Sequence, residues 1–200
     1  MHRPHINDEL TRASHKGNLL QQREEVKDVF KNLFSVFKPK RIIEVGTGGG
    51  GLTIFIKEET NNFSEIYSFD INETHYHDSV KKAGVNFFVK NIFKEEVKNW
   101  NKYEVEEEWE SLFNVYPKLV LVDGGNKKAE FNAIAKYLNP GDVIMLHDYS
   151  TDLETFERLK VWNWLECEFS NIKEECEANN LIPYMHDEFL NVAWGCFIKK

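Results

Sequence analysis

The sequence predicts a doubly wound α/β domain, one open sheet with helices on both faces, and three observations carry that prediction. Short apolar, β-branched runs alternate with amphipathic helical stretches, the pattern of strand–helix–strand units in a parallel sheet. The first run, Ile42 to Val45, leads into a turn built from Gly46, Gly48, Gly49, Gly50 and Gly51, and Leu52 to Lys57 resumes as a helix. Four successive runs end in polar residues, Glu44 with Gly46, Asp70, Asp123, and His147 with Asp148, whereas the strand bodies are apolar. Ligands of open α/β sheets bind beyond the carboxyl ends of the strands, so these ends mark the candidate site.

The elements follow in order. Residues 1–17 are polar and read as an N-terminal arm, or as a lid that brings His15 or Lys16 near the site; residues 18–200 read as one domain. From Asn18 to Phe37, Leu19, Val26, Phe30, Leu33, Phe34 and Phe37 recur at helical spacing, and Pro39 ends the helix. Ile66 to Phe69 is the second strand, and its terminal Asp70 reads either as a helix cap or as an acceptor for ribose hydroxyls. The helix Thr74 to Ala83 is closed by Gly84, and Val85 to Val89 forms the third strand, running into Asn91 and Ile92. Glu95 to Asn114 reads as a charged amphipathic helix. Pro117 to Gly125 is the fourth strand, Lys127 to Leu138 a helix, and Asp142 to Asp148 the fifth strand. Leu153 to Trp164 is expected to be helical, with Leu165 to Phe169 and Asn191 to Ile198 as late strands and Pro183 to His186 as a loop beside the pocket.

Composition narrows the class. With 33 acidic against 25 basic residues and a formal net charge of -8, the chain lacks the basic excess of a nucleic-acid binder. The three cysteines, Cys167, Cys176 and Cys196, are odd in number and widely spaced, and read as free thiols in a reducing compartment. The polar start MHRPHINDEL has no signal-peptide core, and no run suits a membrane span. A cytoplasmic protein is the expectation.

The glycine turn fits two cofactor patterns. Gly46, Gly48 and Gly51 satisfy the dinucleotide fingerprint, and Glu44, Gly46, Gly48 and Gly50 satisfy E-x-G-x-G-x-G. The second pattern resembles motif I of the class I S-adenosylmethionine-dependent methyltransferases. Glu44 favours it, because an acid suits a ligand carrying an ammonium and a sulfonium and repels a pyrophosphate. The segments VDGG and LNPGDVIMLHDY resemble the small O-methyltransferase branch that includes macrocin O-methyltransferase and cephalosporin hydroxylase-like proteins, and more distantly catechol O-methyltransferase.

That resemblance implies a Rossmann-like sheet of order 3-2-1-4-5-7-6 with strand seven antiparallel. It implies cofactor contacts from Glu44, Gly46, Thr47, Gly48, Asp70, Ile71, Asn91, Ile92 and Asp123, and catalysis by Asp123, His147 and Asp148. Those last three would also hold a divalent metal such as magnesium. Two positions depart from the branch: Asn126 follows the glycines where a histidine is common, and His147 replaces an acid of the metal pair, a softer ligand than magnesium prefers. Without a metal, His147 is the natural general base. The implied reaction is methyl transfer to a small-molecule hydroxyl, with a homodimer compatible. A nucleoside-binding protein without catalysis and an NAD(P)-dependent oxidoreductase are the competing readings; the latter lacks a visible Tyr-x-x-x-Lys.

Overall fold

The computed structural model describes residues 13–61, 63–74, 77–94 and 102–200. The chain opens with a hairpin of β1 (Ser14–His15) and β2 (Asn18–Leu19), followed by α1 (Val26–Val36), β3 (Arg41–Val45), α2 (Gly51–Thr60), β4 (Glu65–Asp70), α3 (His77–Lys82) and β5 (Asn86–Val89). A short helix α4 (Glu107–Glu110) and a 3-10 turn (Ser111–Asn114) lead to β6 (Lys118–Val122), α5 (Lys127–Ala135) and β7 (Val143–His147). The last part holds β8 (Tyr149–Ser150), α6 (Leu153–Leu159), β9 (Cys167–Glu168), α7 (Phe169–Ala178), β10 (Leu181–Pro183), α8 (His186–Leu190) and β11 (Trp194–Lys199).

Seven strands form one sheet in the order β10-β11-β7-β6-β3-β4-β5, with β11 antiparallel to β7 and β10. The central pairs are parallel and in step, Val45 opposite both Phe69 and Val122. This is the expected order with the expected antiparallel insertion. Alternation along each strand splits the core in two. Ile43, Val120, Val122, Ile144 and Leu146 face Phe131 and Ile134 of α5 and Ile172 of α7. Ile42, Leu119, Leu121, Val143 and Met145 face Phe30 and Leu33 of α1, Ile54 of α2 and Phe189 of α8. The three cysteines are free and buried. Among the described residues no helix is long and apolar enough to cross a membrane.

Several elements differ from expectation. The sixth strand of the sheet is Leu181–Pro183, part of which reads as loop in the sequence, and not Leu165 to Phe169. Cys167 and Glu168 instead pair with Tyr149 and Ser150 in a separate two-stranded sheet. Glu168 then starts α7 through a reciprocal capping box with Asn171, which turns the chain helical at Phe169. The helix expected from Asn18 begins only at Val26, because Lys16 and Gly17 both take positive φ and close a two-residue hairpin. His15 and Lys16 reach Glu58 of α2, at 3.1 and 2.5 Å, and so lie against that helix. Of the helix expected over Glu95 to Asn114, the described residues show only α4 and the 3-10 turn, since Val105 bridges to Phe93 in extended form; residues 95–101 lie outside the described set, as do residues 1–12 of the expected arm. The helix from Leu153 stops at Leu159, where Lys160 adopts φ 46°.

At the amino ends of the strands, Lys118 and Asp142 form a salt bridge in which both side chains are 0% exposed. Asp142 also accepts the backbone N–H groups of Lys118 at 2.8 Å and Asn139 at 2.7 Å, so it fixes the turn into β7. Removing one partner leaves a buried charge uncompensated. Asp142→Ala is expected to lower unfolding free energy by about 3–5 kcal/mol, read by urea titration; a loss below ~1 kcal/mol would contradict this role.

Candidate active site

The carboxyl ends of β3, β4, β6 and β7 open into a cleft of about 1160 Å³. That volume lies above the usual range for a small-molecule pocket and leaves room for more than one ligand. All the residues singled out in the sequence, Glu44, Gly46, Thr47, Gly48, Asp70, Ile71, Asn91, Ile92, Asp123, His147 and Asp148, line it. Residues the sequence reading missed line it too, among them Gln21, Gln22, Glu130, Trp162, Trp164 and Glu166.

The glycine turn is shaped by close approaches on several sides. A Cβ at Gly46 (φ +91°) would stand 2.2 Å from the carbonyl oxygen of Asp123, so glycine lets β3 and β6 exit side by side. At Gly49 and Gly51 a Cβ would strike Leu19 at 2.6 Å, so these glycines seat the N-terminal segment. That segment is bonded down: Asn18 Nδ2 donates to the Gly49 carbonyl at 3.1 Å, and the Gly49 N–H donates to Gln21 Oε1 at 2.6 Å. Asp70 accepts the Gly48 N–H at 2.9 Å through one oxygen and the Asn72 N–H at 3.1 Å through the other. Asn91 uses its amide oxygen to accept the Phe93 N–H at 3.1 Å. Glu44 is 3% exposed, and its Oε2 accepts hydrogen bonds from Thr53 Oγ1 and Ser68 Oγ.

The other end of the cleft is charged. His147 Nδ1 lies 3.2 Å from Asp123 Oδ1 and 3.2 Å from Asp148 Oδ1; only the first contact has hydrogen-bond geometry. His147 Nε2 is buried without a hydrogen-bond partner. Its ring packs edge-on against Trp162, with centroids 5.3 Å apart. Asp148 has φ 55°, a left-handed conformation rare outside glycine and typical of constrained sites. Gln22 Nε2 donates to Asp123 Oδ2 at 2.9 Å while Gln22 Oε1 accepts from the Trp194 indole at 3.0 Å. Lys127 sends its ammonium among the acids, 3.0 Å from Asp148 Oδ2, 2.9 Å from Glu166 Oε2 and 3.6 Å from Asp123 Oδ1. A lysine at the first position of α5, where the helix dipole disfavours positive charge, is the sequence signal that could have flagged it. Nothing comparable marks Gln21 or Gln22.

Ligand atoms of Asp123, His147 and Asp148 lie within 4.8 Å of one another, so the expected trio does assemble. The surroundings do not suit magnesium. One donor is a nitrogen, and the Lys127 ammonium stands beside both carboxylates.

Burial pushes the Glu44 carboxyl up to about 7, against the hydrogen bonds of Ser68 and Thr53, with Asp123 and Asp70 adding to the rise. Burial likewise raises Glu130 to about 7, although it accepts N–H groups from Asn126 at 3.0 Å and Gly124 at 3.2 Å. For His147 burial works against the charge, but Asp148 and Asp123 outweigh it and the pKa is raised. As pH rises, the unfolded chain releases protons from these groups before the folded one does. Their stabilisation is therefore complete below the ordinary values and lost through the raised ones. For each glutamate, unfolding free energy is expected to fall as pH rises from 4.5 to about 7, by on the order of 3 kcal/mol. Glu44→Gln should reduce that fall in denaturant titrations, and a slope unchanged by the substitution would contradict the assignment. Gln22→Leu strands the buried Trp194 N–H, which should cost about 1–3 kcal/mol in the same measurement; an unchanged midpoint would refute it.

No protein-family model matches the sequence, and no curated protein is similar to it. Solved structures are. CmcI with Mg-SAM superposes with TM-score 0.63 at 12% identity, covering 95% of this chain and 77% of that one. A putative caffeoyl-CoA O-methyltransferase from Staphylococcus aureus gives TM-score 0.57 at 15% identity, covering 88% and 83%. The chain therefore has the Rossmann-like fold of the class I S-adenosylmethionine-dependent methyltransferases.

Proposed function

We propose that the chain transfers a methyl group from S-adenosylmethionine to a hydroxyl oxygen of a small molecule. The observation that carries this reading is the meeting, in one cleft, of a glycine turn bordered by Asp70 with a buried His147 paired to the half-buried Asp123. The antiparallel β11 departs from an all-parallel dehydrogenase sheet and speaks against the oxidoreductase reading.

When bound, S-adenosylmethionine supplies a methyl group on a sulfonium, already a good leaving group. The chain's part is to orient and to move one proton. Each Asp70 oxygen accepts one backbone N–H and retains a lone pair for a ribose hydroxyl. Gly46, Thr47 and Gly48 would let backbone approach the cofactor, Ile71 and Ile92 would offer apolar surface to the adenine, and Asn91 would read its edge. Glu44 would face the cationic methionine end, and Asp123 would serve both cofactor and acceptor. Trp162 and Trp164 wall the acceptor side. His147 Nδ1 donates to Asp123, which fixes the tautomer and presents the Nε2 lone pair as general base for the acceptor hydroxyl. No step runs through a divalent ion.

Asp70→Ala should weaken S-adenosylhomocysteine binding at least tenfold by calorimetry. His147→Gln and Asp148→Ala should keep that affinity within about twofold, and His147→Gln should cut S-adenosylhomocysteine release in an acceptor screen by about 10²–10⁴. Equal loss of binding in all three variants would end this division of labour. A base must be unprotonated, so the acidic limb of kcat/KM should lie above about 6.5 and vanish in His147→Gln; a limb below 6 would exclude His147.

A further inference from the structure

We propose that the Lys127 ammonium occupies the seat of a divalent cation, so that this site works as a metal-independent one with a resident positive charge. The inference deepens the proposed methyl-transfer reading, since it concerns the same acids. A site for a divalent ion here would be formed by Asp123 and Asp148 from two adjacent strand ends. Lys127 already lies against both, and it is only 6% exposed. Its ammonium donates to the Gly124 carbonyl at 3.1 Å and to Glu166 Oε2 at 2.9 Å, and it forms an ion pair with Asp148 Oδ2 at 3.0 Å.

Charge counts in the same direction. Asp123, Asp148 and Glu166 would bring three negative charges into a partly buried space, and an ammonium offsets one of them at hydrogen-bond distance. A divalent ion shared by Asp123 and Asp148 would stand about 2 Å from their oxygens and within a few ångströms of Lys127, against strong repulsion. Lys127 is thereby a positioning residue. Its bonds are used on the acids and on the Gly124 carbonyl, so it orients Asp148 and the loop after β6 and leaves proton transfer to His147.

The test reads cation binding directly, with Mn²⁺ as probe, by electron paramagnetic resonance of the free ion. The full-length chain should bind no stoichiometric Mn²⁺ in the micromolar range. Lys127→Ala should acquire one site, at least tenfold tighter than any in the parent chain, and Asp148→Asn in that background should abolish it. Lys127→Met, which keeps most of the side-chain volume, replaces Lys127→Ala if the smaller variant does not fold. Lys127→Arg should remain free of Mn²⁺, a distinction that a purely structural role would not produce. One-to-one Mn²⁺ binding by the parent chain that Asp148→Asn removes would overturn the proposal, as would a folded Lys127→Ala or Lys127→Met variant with no gain. Calorimetry with S-adenosylhomocysteine on the parent chain runs alongside: failure there sinks the methyltransferase reading and leaves the Mn²⁺ result to stand by itself.

Discussion

A single ammonium among three carboxylates organises the top of the sheet. Lys127 links the end of β6 through Asp123, the end of β7 through Asp148 and the segment before β9 through Glu166. Like charges brought this close in a partly buried space repel strongly, and the ammonium between them offsets that repulsion. The left-handed backbone at Asp148 is held in the same way, since its carbonyl accepts the N–H groups of Glu166 at 2.9 Å and Cys167 at 3.2 Å. His147 is wedged between Asp123 and Asp148, and against burial and the nearby Lys127 ammonium these two carboxylates raise its pKa.

The two halves of the cleft are built differently. The half around Gly46–Gly51 is backbone: a glycine turn, closed on one side by Asp70 and on the other by the N-terminal segment. The half around Asp123, His147 and Asp148 is side chain: charges held by one another, with Trp162 packed edge-on against His147. Gln22 joins the halves. It lies in the N-terminal segment and grips both Asp123 and the Trp194 indole on β11, so ordering of that segment and ordering of the acid cluster are coupled.

The parallel core was legible because Leu119–Val122 and Val143–Leu146 are unbroken apolar runs and Ile42–Val45 is interrupted only by Glu44, each run ending near a glycine or an acid. The candidate site was legible for the same reason, since a polar residue at the end of such a run lies where an open α/β sheet meets its ligand. What escaped the sequence depends on long-range context. The three-residue strand Leu181–Pro183 is too short for a period and exists because β11 offers it an edge. Glu166 and Gln22 look like ordinary polar surface in one dimension, and Lys127 stands out only as a cation at the start of a helix; all three acquire meaning when β6, β7 and the N-terminal segment converge. The acidic run after Glu95 suggested one long helix, but Val105 finds its place beside Phe93 in extended form.

The methyl-transfer reading of this cleft depends on its taking S-adenosylmethionine, and thermal unfolding with S-adenosylhomocysteine, or with NAD, decides that. A ligand at 100 times its Kd stabilises by roughly 2.7 kcal/mol, which for a chain of this size raises Tm by about 5–10 °C. That shift is expected with S-adenosylhomocysteine, none is expected with NAD, and adding magnesium should bring no further gain. A shift with NAD alone, or with neither ligand, would contradict the methyltransferase reading.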